Sequence, residues 1–378
     1  MIDRMQSWRV ALWAGTLAMT LTSIATAADH ASLRDVFVAG QDGYHTYRIP
    51  ALLVSQQGTL LAFCEGRKTG RGDAGDIDLL VRRSTDSGNT WSPITLVYEQ
   101  GGAEKITIGN PCPVVDRQTG TIWLPFCRDN NHVLVTSSSD DGRTWSAPRD
   151  ITPDVKPDHW GWYATGPGVG IQLARGQHAG RLVIPCDHRE KVAGHDVMFS
   201  HVFYSDDHGQ TWQLGGTVDR HTDECQVVEL ADGDLSINMR NYWGRADAGN
   251  RPERGGMRAT SRSSDGGETW SPLEFDVALI EPICQASLIA VDHPQRSDAR
   301  VLLFSNPATK KTRSNMTVRA SFDEGRTWPA SQQIDPGTAA YSSLAQLPDG
   351  RIGILYERDN YGQIVFTTVP LELSGDTK

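Results

Sequence analysis

One eight-residue phrase recurs five times along the chain and limits the folds that the chain can adopt. It reads Ser-x-Asp-x-Gly-x-Thr-Trp and begins at Ser84, Ser138, Ser205, Ser263 and Ser321. The copies are 54, 67, 58 and 58 residues apart, and a period of this size is typical of a solenoid or propeller. Each copy follows a short β-rich run, so we interpret it as a hairpin turn. The Asp would accept backbone hydrogen bonds, the Gly would adopt positive φ and the Trp would pack into an apolar layer.

The spacing of the phrase predicts an all-β fold, a six-bladed β-propeller whose ring is closed by strands from both ends of the chain. Residues 28–378 contain about six periods of about 59 residues, of which five carry the phrase. The sixth blade is therefore expected to combine residues 36–38 with strands between Tyr341 and Phe366. This arrangement would protect sheet edges that an open ring exposes. We predict one domain over residues 28–378.

The first 27 residues resemble a secretory signal peptide. Arg4 and Arg9 precede an apolar stretch over residues 10–24, and Ala-Thr-Ala at residues 25–27 offers a small-residue cleavage site. The stretch is short and is interrupted by Gly, Thr and Ser, which favours export and cleavage over a membrane anchor. We therefore expect the mature chain to be secreted or periplasmic, with no membrane span after cleavage.

Charge and cysteine usage exclude several classes of function. The chain carries a formal net charge of −10, which becomes −11 once Asp3, Arg4 and Arg9 are removed with the signal. This balance argues against nucleic acid and anionic membranes as partners, and any acidic ligand would need a local cluster of cations. The sequence has no Cys-x-x-Cys or His-Glu-x-x-His spacing, so a zinc site is not expected. The six cysteines are interpreted as buried free thiols, although an oxidising compartment would permit disulfides.

Three arginines lie in strand-like surroundings in different repeat units. They are Arg48 in Tyr-Arg-Ile-Pro, Arg240 at the end of Leu-Ser-Ile-Asn-Met-Arg, and Arg313 at the start of Arg-Ser-Asn-Met-Thr-Val-Arg. An arginine is costly to bury without a partner, so each one alone would be interpreted as a surface or salt-bridged residue. If the three converge on the axis of a propeller, they would suit a carboxylate or phosphate ligand held by bidentate contacts.

A series of motifs, in chain order, resembles the non-viral sialidases. Besides Tyr-Arg-Ile-Pro and the five repeat turns, which that family calls Asp-boxes, the motifs are Asn110-Pro-Cys-Pro, Ala164-Thr-Gly-Pro-Gly, Glu224-Cys-Gln-Val, Cys284-Gln-Ala-Ser, Ala340-Tyr-Ser and Leu355-Tyr-Glu. The resemblance runs from about residue 36 to residue 372. It implies a six-bladed propeller with an exo-α-sialidase site at its axis. Such an enzyme removes terminal α-linked sialic acid with retention of configuration and needs no cofactor or metal.

The resemblance also implies roles for single residues. Tyr341 matches the nucleophile, Glu224 its general base and Asp73 the acid/base, although Asp76 stands close by and a small loop shift would exchange the two. The arginine triad that binds the carboxylate is matched by Arg48, Arg240 and Arg313. The acid that steadies the first arginine is matched by Glu357. Three further sugar contacts are matched by Arg67, Asn110 and Gln285. One departure is Cys186-Asp-His188, where animal relatives place tyrosines near the glycerol tail of the sugar.

The residue types suit this chemistry independently. Sialic acid carries a carboxylate on its anomeric carbon, so a neutral tyrosine avoids the repulsion that an Asp or Glu nucleophile would meet, provided that a base removes its proton. Sialidases with a Tyr nucleophile are a known exception to the two-carboxylate rule of glycosidases. Two alternatives remain open, a hydrolase of a related keto acid sugar and a catalytically silent sialic-acid-binding propeller. The expected partners are sialylated glycoconjugates or oligosaccharides, and the sequence does not predict an oligomeric state.

Overall fold

The computed structural model describes residues 33–102, 104–293, 296–371 and 373. The signal peptide predicted over residues 1–27 lies outside this part of the chain. Within it, 25 strands are joined by loops, and helical structure is limited to one four-residue α-helix and one three-residue 3₁₀-helix. None of the described helices is long and apolar enough to cross a membrane.

The elements follow one another along the chain with short connections. The first strands are β1 (Arg34–Val38), β2 (Thr46–Val54), β3 (Leu60–Arg67), β4 (Ile77–Ser84), β5 (Thr95–Tyr98), β6 (Ile108–Gly109), β7 (Val114–Val115), β8 (Ile122–Arg128), β9 (His132–Ser138), β10 (Arg149–Asp150), β11 (Tyr163–Thr165) and β12 (Ile171–Gln172). The next are β13 (Leu182–Val192), β14 (His195–Ser205), β15 (Gln213–Thr217), β16 (Thr222–Glu229), β17 (Leu235–Asn241), β18 (Met257–Ser263), β19 (Glu274–Ile280), β20 (Ser287–His293), β21 (Arg296–Pro307), β22 (Ser314–Ser321), β23 (Ala330–Gln346), β24 (Ile352–Arg358) and β25 (Gln363–Val369). The helices are α1 (Thr152–Val155) and the 3₁₀-helix Pro252–Arg254.

Antiparallel pairing groups the described strands into five sheets. Four of them contain β2–β5, β6–β10, β11–β15 and β16–β19, and the fifth has seven strands in the order β1-β25-β24-β23-β22-β21-β20. The 17-residue strand β23 pairs with β22 up to Thr338 and with β24 from Ala339 onward. At the edge of this sheet β1 pairs with β25. The fold is all-β with a propeller-like arrangement of hairpin sheets, as the repeat spacing predicts.

The five Asp-boxes form the turn before the last strand of a hairpin series, which confirms their interpretation as structural turns. In the first copy, Asp86 accepts hydrogen bonds from the Thr90 amide at 2.9 Å, the Thr90 hydroxyl at 2.6 Å and the Ser84 hydroxyl at 2.8 Å. The other four copies repeat these bonds. Gly88 has φ +85°, and a Cβ there would come within 2.1 Å of Phe366. Only glycine therefore fits this position.

Apolar cores lie between successive sheets. One core joins side chains of β2–β4 with those of β7–β9, and another joins β1–β4 with β23–β25. The Asp-box tryptophans contribute to this packing across sheets, since Trp145 contacts Phe63 with ring centroids 5.6 Å apart and Trp91 contacts Phe366 at 5.5 Å. All six cysteines are buried and free, as predicted. The cores hold the inner strands rigidly, so side chains from distant parts of the sequence can meet at fixed positions.

Candidate active site

A cavity of about 470 Å³ is lined by strand residues of four sheets and by loop residues of the fifth. Its walls include Glu65 on β3, Asn110 between β6 and β7, Arg189 on β13, Glu224 on β16 and Tyr341 on β23. These residues are far apart in the sequence, and the packing of the inner strands brings them together. The cavity is therefore the place where the predicted site residues should be sought.

Tyr341 and Glu224 form a buried hydrogen-bonded pair in the cavity wall. The Tyr341 hydroxyl donates to Oε1 of Glu224, and Arg240 Nη1 lies 2.7 Å from Oε2 of Glu224 and 3.3 Å from the Tyr341 oxygen. Burial, and then the charge of Glu224, raise the pKa of Tyr341 well above its usual range. Burial also raises the pKa of Glu224, against the lowering effect of Arg240. The phenol is therefore neutral at rest. Among the described side chains, Glu224 is the one base in contact with the phenol proton.

The three arginines converge on Tyr341. Besides Arg240 at the hydroxyl, the guanidinium carbons of Arg48 and Arg313 lie 5.1 and 5.4 Å from the centre of the Tyr341 ring. Arg313 donates to the Tyr361 hydroxyl and to the carbonyl of Ile283, both at 3.3 Å. Tyr361 was not singled out in the sequence, and its ring also lies 4.2 Å from the guanidinium carbon of Arg48. The site thus concentrates positive charge around one phenol.

Glu357 joins β2 to β23 beneath these arginines. Its Oε1 accepts from Arg48 Nε at 2.6 Å and from the Ile49 amide at 3.0 Å, and its Oε2 accepts from the Tyr341 amide at 3.1 Å. Ile49 has φ +60°, a strained conformation for a β-branched residue. Such strain persists only where the surroundings fix the backbone, and here the Glu357 carboxylate provides a bond at that point. Glu357 therefore connects Arg48 to the backbone of Tyr341.

The structure separates Asp73 from Asp76. Asp73 lines the cavity, where its Oδ1 accepts from Arg67 Nη1 at 2.8 Å and lies 3.7 Å from Arg48 Nη1. Its side chain is 85% exposed. Asp76 instead pairs with Lys68 at 2.9 Å and does not belong to the cavity wall. Of these two acids only Asp73 lines the cavity, and its role as acid/base stays a prediction.

Glu65, for which the sequence suggested no role, positions two of the predicted sugar contacts. Its Oε2 accepts from Arg67 Nε at 3.0 Å and Nη2 at 2.7 Å, and its Oε1 accepts from the Asn110 amide at 3.0 Å. Arg67 and Asn110 both line the cavity. Glu65 and Arg67 are two residues apart on β3, so their side chains share one face of the strand. That spacing in Glu-Gly-Arg is the signal that could have identified the pair.

Gln285 lies next to Tyr341 but not in the cavity wall, and its role as a sugar contact stays a prediction. It is buried, its Nε2 donates to the carbonyls of Pro167 at 3.2 Å and Ser342 at 3.0 Å, and its Oε1 accepts from the Ser342 amide at 3.0 Å. The amide group is therefore committed to backbone groups. Gln285 fixes the residue that follows Tyr341.

The run that departs from animal relatives lies mostly behind the cavity. His188 is buried, stacks on Trp160 with ring centroids 3.3 Å apart and shares a hydrogen bond with His201 at 3.0 Å. Burial lowers the pKa of His188 to about 3, so the ring is neutral. Only the following residue, Arg189, reaches the cavity wall. The described residues contain no group of three or more His, Cys, Asp or Glu side chains that could hold a metal ion.

The chain is similar to known sialidases in sequence and in fold. A family described as "BNR repeat-like domain" matches residues 58–354. The chain is 40% identical to a sialidase of Micromonospora viridifaciens over 86% of this chain and 52% of the relative, and 32% identical to sialidase-2 of Cricetulus griseus over 88% and 94%. The solved structure of Hadza microbial sialidase Hz136 has a TM-score of 0.79 and 32% identity, covering 90% of this chain and 68% of that chain. This chain spans about half the length of the Micromonospora relative.

Proposed function

Because the chain belongs to the sialidase family, we propose that it is an exo-α-sialidase that hydrolyses terminal α-linked sialic acids of glycoproteins, glycolipids or oligosaccharides with retention. The observation that carries the proposal is the Tyr341 hydroxyl bonded to Glu224 inside a ring of three arginines. Tyr341, Glu224 and Arg240 line the cavity, while Arg48 and Arg313 lie against the Tyr341 ring. A nucleophile, its base and an anion site would therefore adjoin one another. The resemblance implies that no cofactor takes part.

The substrate carboxylate would bind where positive charge is least compensated. Arg48 pairs with Glu357, and Arg240 pairs with Glu224 at 2.7 Å. Arg313 pairs with no carboxylate among the described residues, and its partners are a neutral hydroxyl and a carbonyl. An anion bound between the three guanidinium groups would supply the missing negative charge through charge-assisted hydrogen bonds.

The reaction would proceed by two displacements at the anomeric carbon. In the first, Tyr341 attacks while Glu224 takes its proton, and Asp73 protonates the departing glycosidic oxygen. In the second, Asp73 removes a proton from water, the water attacks the anomeric carbon, and Glu224 returns the proton to the leaving Tyr341 oxygen. Two inversions retain the configuration. The arginines would stabilise the bound carboxylate and the phenol oxygen throughout.

The proposed ring has six blades. The first half of β23 pairs with β22 and the second half pairs with β24. This supports a division of the seven-stranded sheet into two blades. The pairing of β1 with β25 is consistent with closure of the ring by strands from both ends. Export through a cleaved signal peptide remains a proposal based on residues 1–27.

The test measures turnover of a fluorogenic sialoside by a Tyr341→Phe variant. Loss of the nucleophile should lower kcat at least about 10³-fold without unfolding the protein. Tyr356→Phe is the matched control, because Tyr356 is a buried tyrosine that donates to Asp335 at 3.2 Å and lies outside the cavity wall. Near-native turnover by the Tyr341 variant would refute its role.

The same assay distinguishes the alternatives. Turnover of a deaminated keto acid sugar in preference to sialosides would favour the related hydrolase, and binding without turnover by the unmodified protein would favour the silent binder. Proton NMR of the first sugar released reports the configuration. An inverted first product would refute the two-step reaction.

A further inference from the structure

Asp187 is a buried acid that the reaction described above does not use. It lies on β13, its side chain is wholly shielded from solvent, and no donor group is bonded to either of its carboxyl oxygens within the described chain. An isolated carboxylate in such a place would cost several kcal/mol of folding free energy. The residue therefore needs either a proton or a partner.

The neighbouring strand places Asp223 beside Asp187. Cys225 Sγ donates to the Cys186 carbonyl at 3.3 Å, which joins β16 to β13. Ser200, opposite Asp187 in β14, donates to the Asp223 carbonyl at 2.5 Å. The Asp223 carboxyl is within hydrogen-bonding range of Asp187. Two carboxyl groups can share such a bond only when one of them carries a proton.

The surroundings place that proton on Asp187. Asp223 Oδ2 lies 3.5 Å from Arg240 Nε, whereas no ion pair contacts Asp187 among the described residues. Burial, and then Asp223, raise the pKa of Asp187 well above its usual range. The other titratable groups that face Asp187 are Glu224 and Cys225 on β16, Arg240 on β17, Tyr163 on β11 and Cys127 on β8. Burial raises the pKa values of the phenol and both thiols, so these three groups are neutral.

We propose that Asp187 is a positioning residue that, as a neutral carboxylic acid, donates a hydrogen bond to Asp223 and so holds Asp223 and Arg240 in the arrangement that serves Glu224. The inference rests on the proposed function of Glu224 as the base for Tyr341. Arg240 connects Asp223 to Glu224, because its Nε faces Asp223 and its Nη1 bonds Glu224 at 2.7 Å.

The bond from Asp187 should set the pH at which Glu224 becomes ionised. A donor on Asp223 disperses its negative charge, so Asp223 repels the adjacent Glu224 carboxylate less. Tyr242 also bonds the Asp223 side chain, so removal of the Asp187 donor takes away part of this effect. The pKa of Glu224 should then rise, and the acidic limb of the kcat/KM profile should move to higher pH. A hydrogen bond of ordinary strength corresponds to about one pH unit, which is about a tenfold loss of kcat/KM below the limb.

The experiment compares Asp187→Asn with Asp187→Leu. Both side chains have the same branched skeleton, although Leu is bulkier, and only the Asn amide can donate to Asp223. With a fluorogenic sialoside, the acidic limb of the Asn variant should coincide with that of the unmodified protein, and the limb of the Leu variant should lie about one unit higher. Coincident limbs for all three proteins would overturn the proposal, whereas a purely structural role would change stability and leave the limb in place.

A second measurement decides the question if the Leu variant does not fold. The folded pKa of Asp187 is raised above the value of about 3.9 in an unfolded chain. The folded state therefore binds one more proton above about pH 4, and its stability falls as pH rises through this range. The Asn variant lacks this proton, so its melting temperature relative to the unmodified protein should increase from pH 4 to pH 7. A constant difference would overturn the proposal. This result does not depend on turnover, whereas failure of the unmodified protein to hydrolyse any sialoside would refute only the proposed function.

Discussion

Removal of the charge on Glu357 tests whether the arginine site depends on its buried acid. Glu357 accepts three hydrogen bonds, from Arg48 Nε and the amides of Ile49 and Tyr341, and its side chain is 0% exposed. In a Glu357→Gln variant, one amide oxygen can still face Arg48 and Ile49. The NH₂ group then faces the Tyr341 amide, so one donor meets another and the buried guanidinium loses its counter-charge.

The structure sets the size of the effect. Loss of a charge-assisted hydrogen bond costs about 1.5–3 kcal/mol, and a buried ion pair that loses one charge costs about 3–5 kcal/mol. We expect a loss of about 3 kcal/mol in the free energy of unfolding, or about 4 °C in melting temperature for a domain of this size. If about 1.5–3 kcal/mol also appears in transition-state binding, kcat/KM falls about 10- to 100-fold.

Asp141→Asn provides the matched control. Asp141 is a buried acid that accepts from the Thr59 hydroxyl and from Arg83 Nη2, both at 2.6 Å, and it lies outside the cavity wall. Both variants should melt earlier in scanning calorimetry, but only the Glu357 variant should lose kcat/KM at a temperature where both are folded. Equal activities of the two variants would refute the reasoning, because stability alone would then account for Glu357.

Two further predictions concern acids at different places in the fold. Asp73→Asn should slow hydrolysis of a sialoside with a poor sugar leaving group by about 10²–10⁴-fold, and hydrolysis of an activated aryl sialoside much less. Asp76 pairs with Lys68, so Asp76→Asn should leave both rates unchanged. The reverse pattern would exchange the two roles. At the second Asp-box, partial burial raises the pKa of Asp140, but the stronger combined effect of hydrogen bonds from Thr144 and its neighbours lowers it to about 2. The stabilisation is therefore present above about pH 4 and is lost as pH falls towards 2. In an Asp140→Asn variant, the slope of melting temperature against pH, followed by circular dichroism, should be smaller in this acidic range than in the unmodified protein. An unchanged slope would contradict this account.

Local chemistry explains which features could be predicted from the sequence. The Asp-box needs an Asp, a Gly with positive φ and a Thr within eight residues, so its turn is determined by neighbours in the chain and recurs wherever the phrase recurs. The spacing of these turns then indicates sheets of similar size. Tyr341 and Glu224 lie 117 residues apart. Their contact depends on the packing of different sheets, and only the motif resemblance suggested it.

The contacts that the sequence could not indicate depend on the direction of side chains. Neighbouring residues of a strand face opposite sides, so a shift of one residue exchanges cavity and core. The Gln285 amide bonds the backbone of Ser342, which the Cys-Gln-Ala-Ser motif does not indicate. In the run from Asp187 to Arg189, only Arg189 reaches the cavity. Sequence motifs identify the strand in such cases, whereas the register and the packing of the adjacent strands decide which residue contacts the ligand.

In the proposed mechanism, the charges of the site would let one base serve both displacements. At rest, Glu224 is paired with Arg240 and accepts a hydrogen bond from the Tyr341 hydroxyl, so the negative charge lies on the Glu224 carboxylate. Transfer of the proton would neutralise Glu224 and move negative charge to the phenol oxygen, which lies 3.3 Å from the same Arg240 nitrogen. Arg240 therefore faces a negative oxygen before and after the transfer, and little reorganisation is needed. Since the positions of Arg240 and Glu224 are fixed by buried neighbours, the barrier to proton transfer should depend on residues that never contact the sugar.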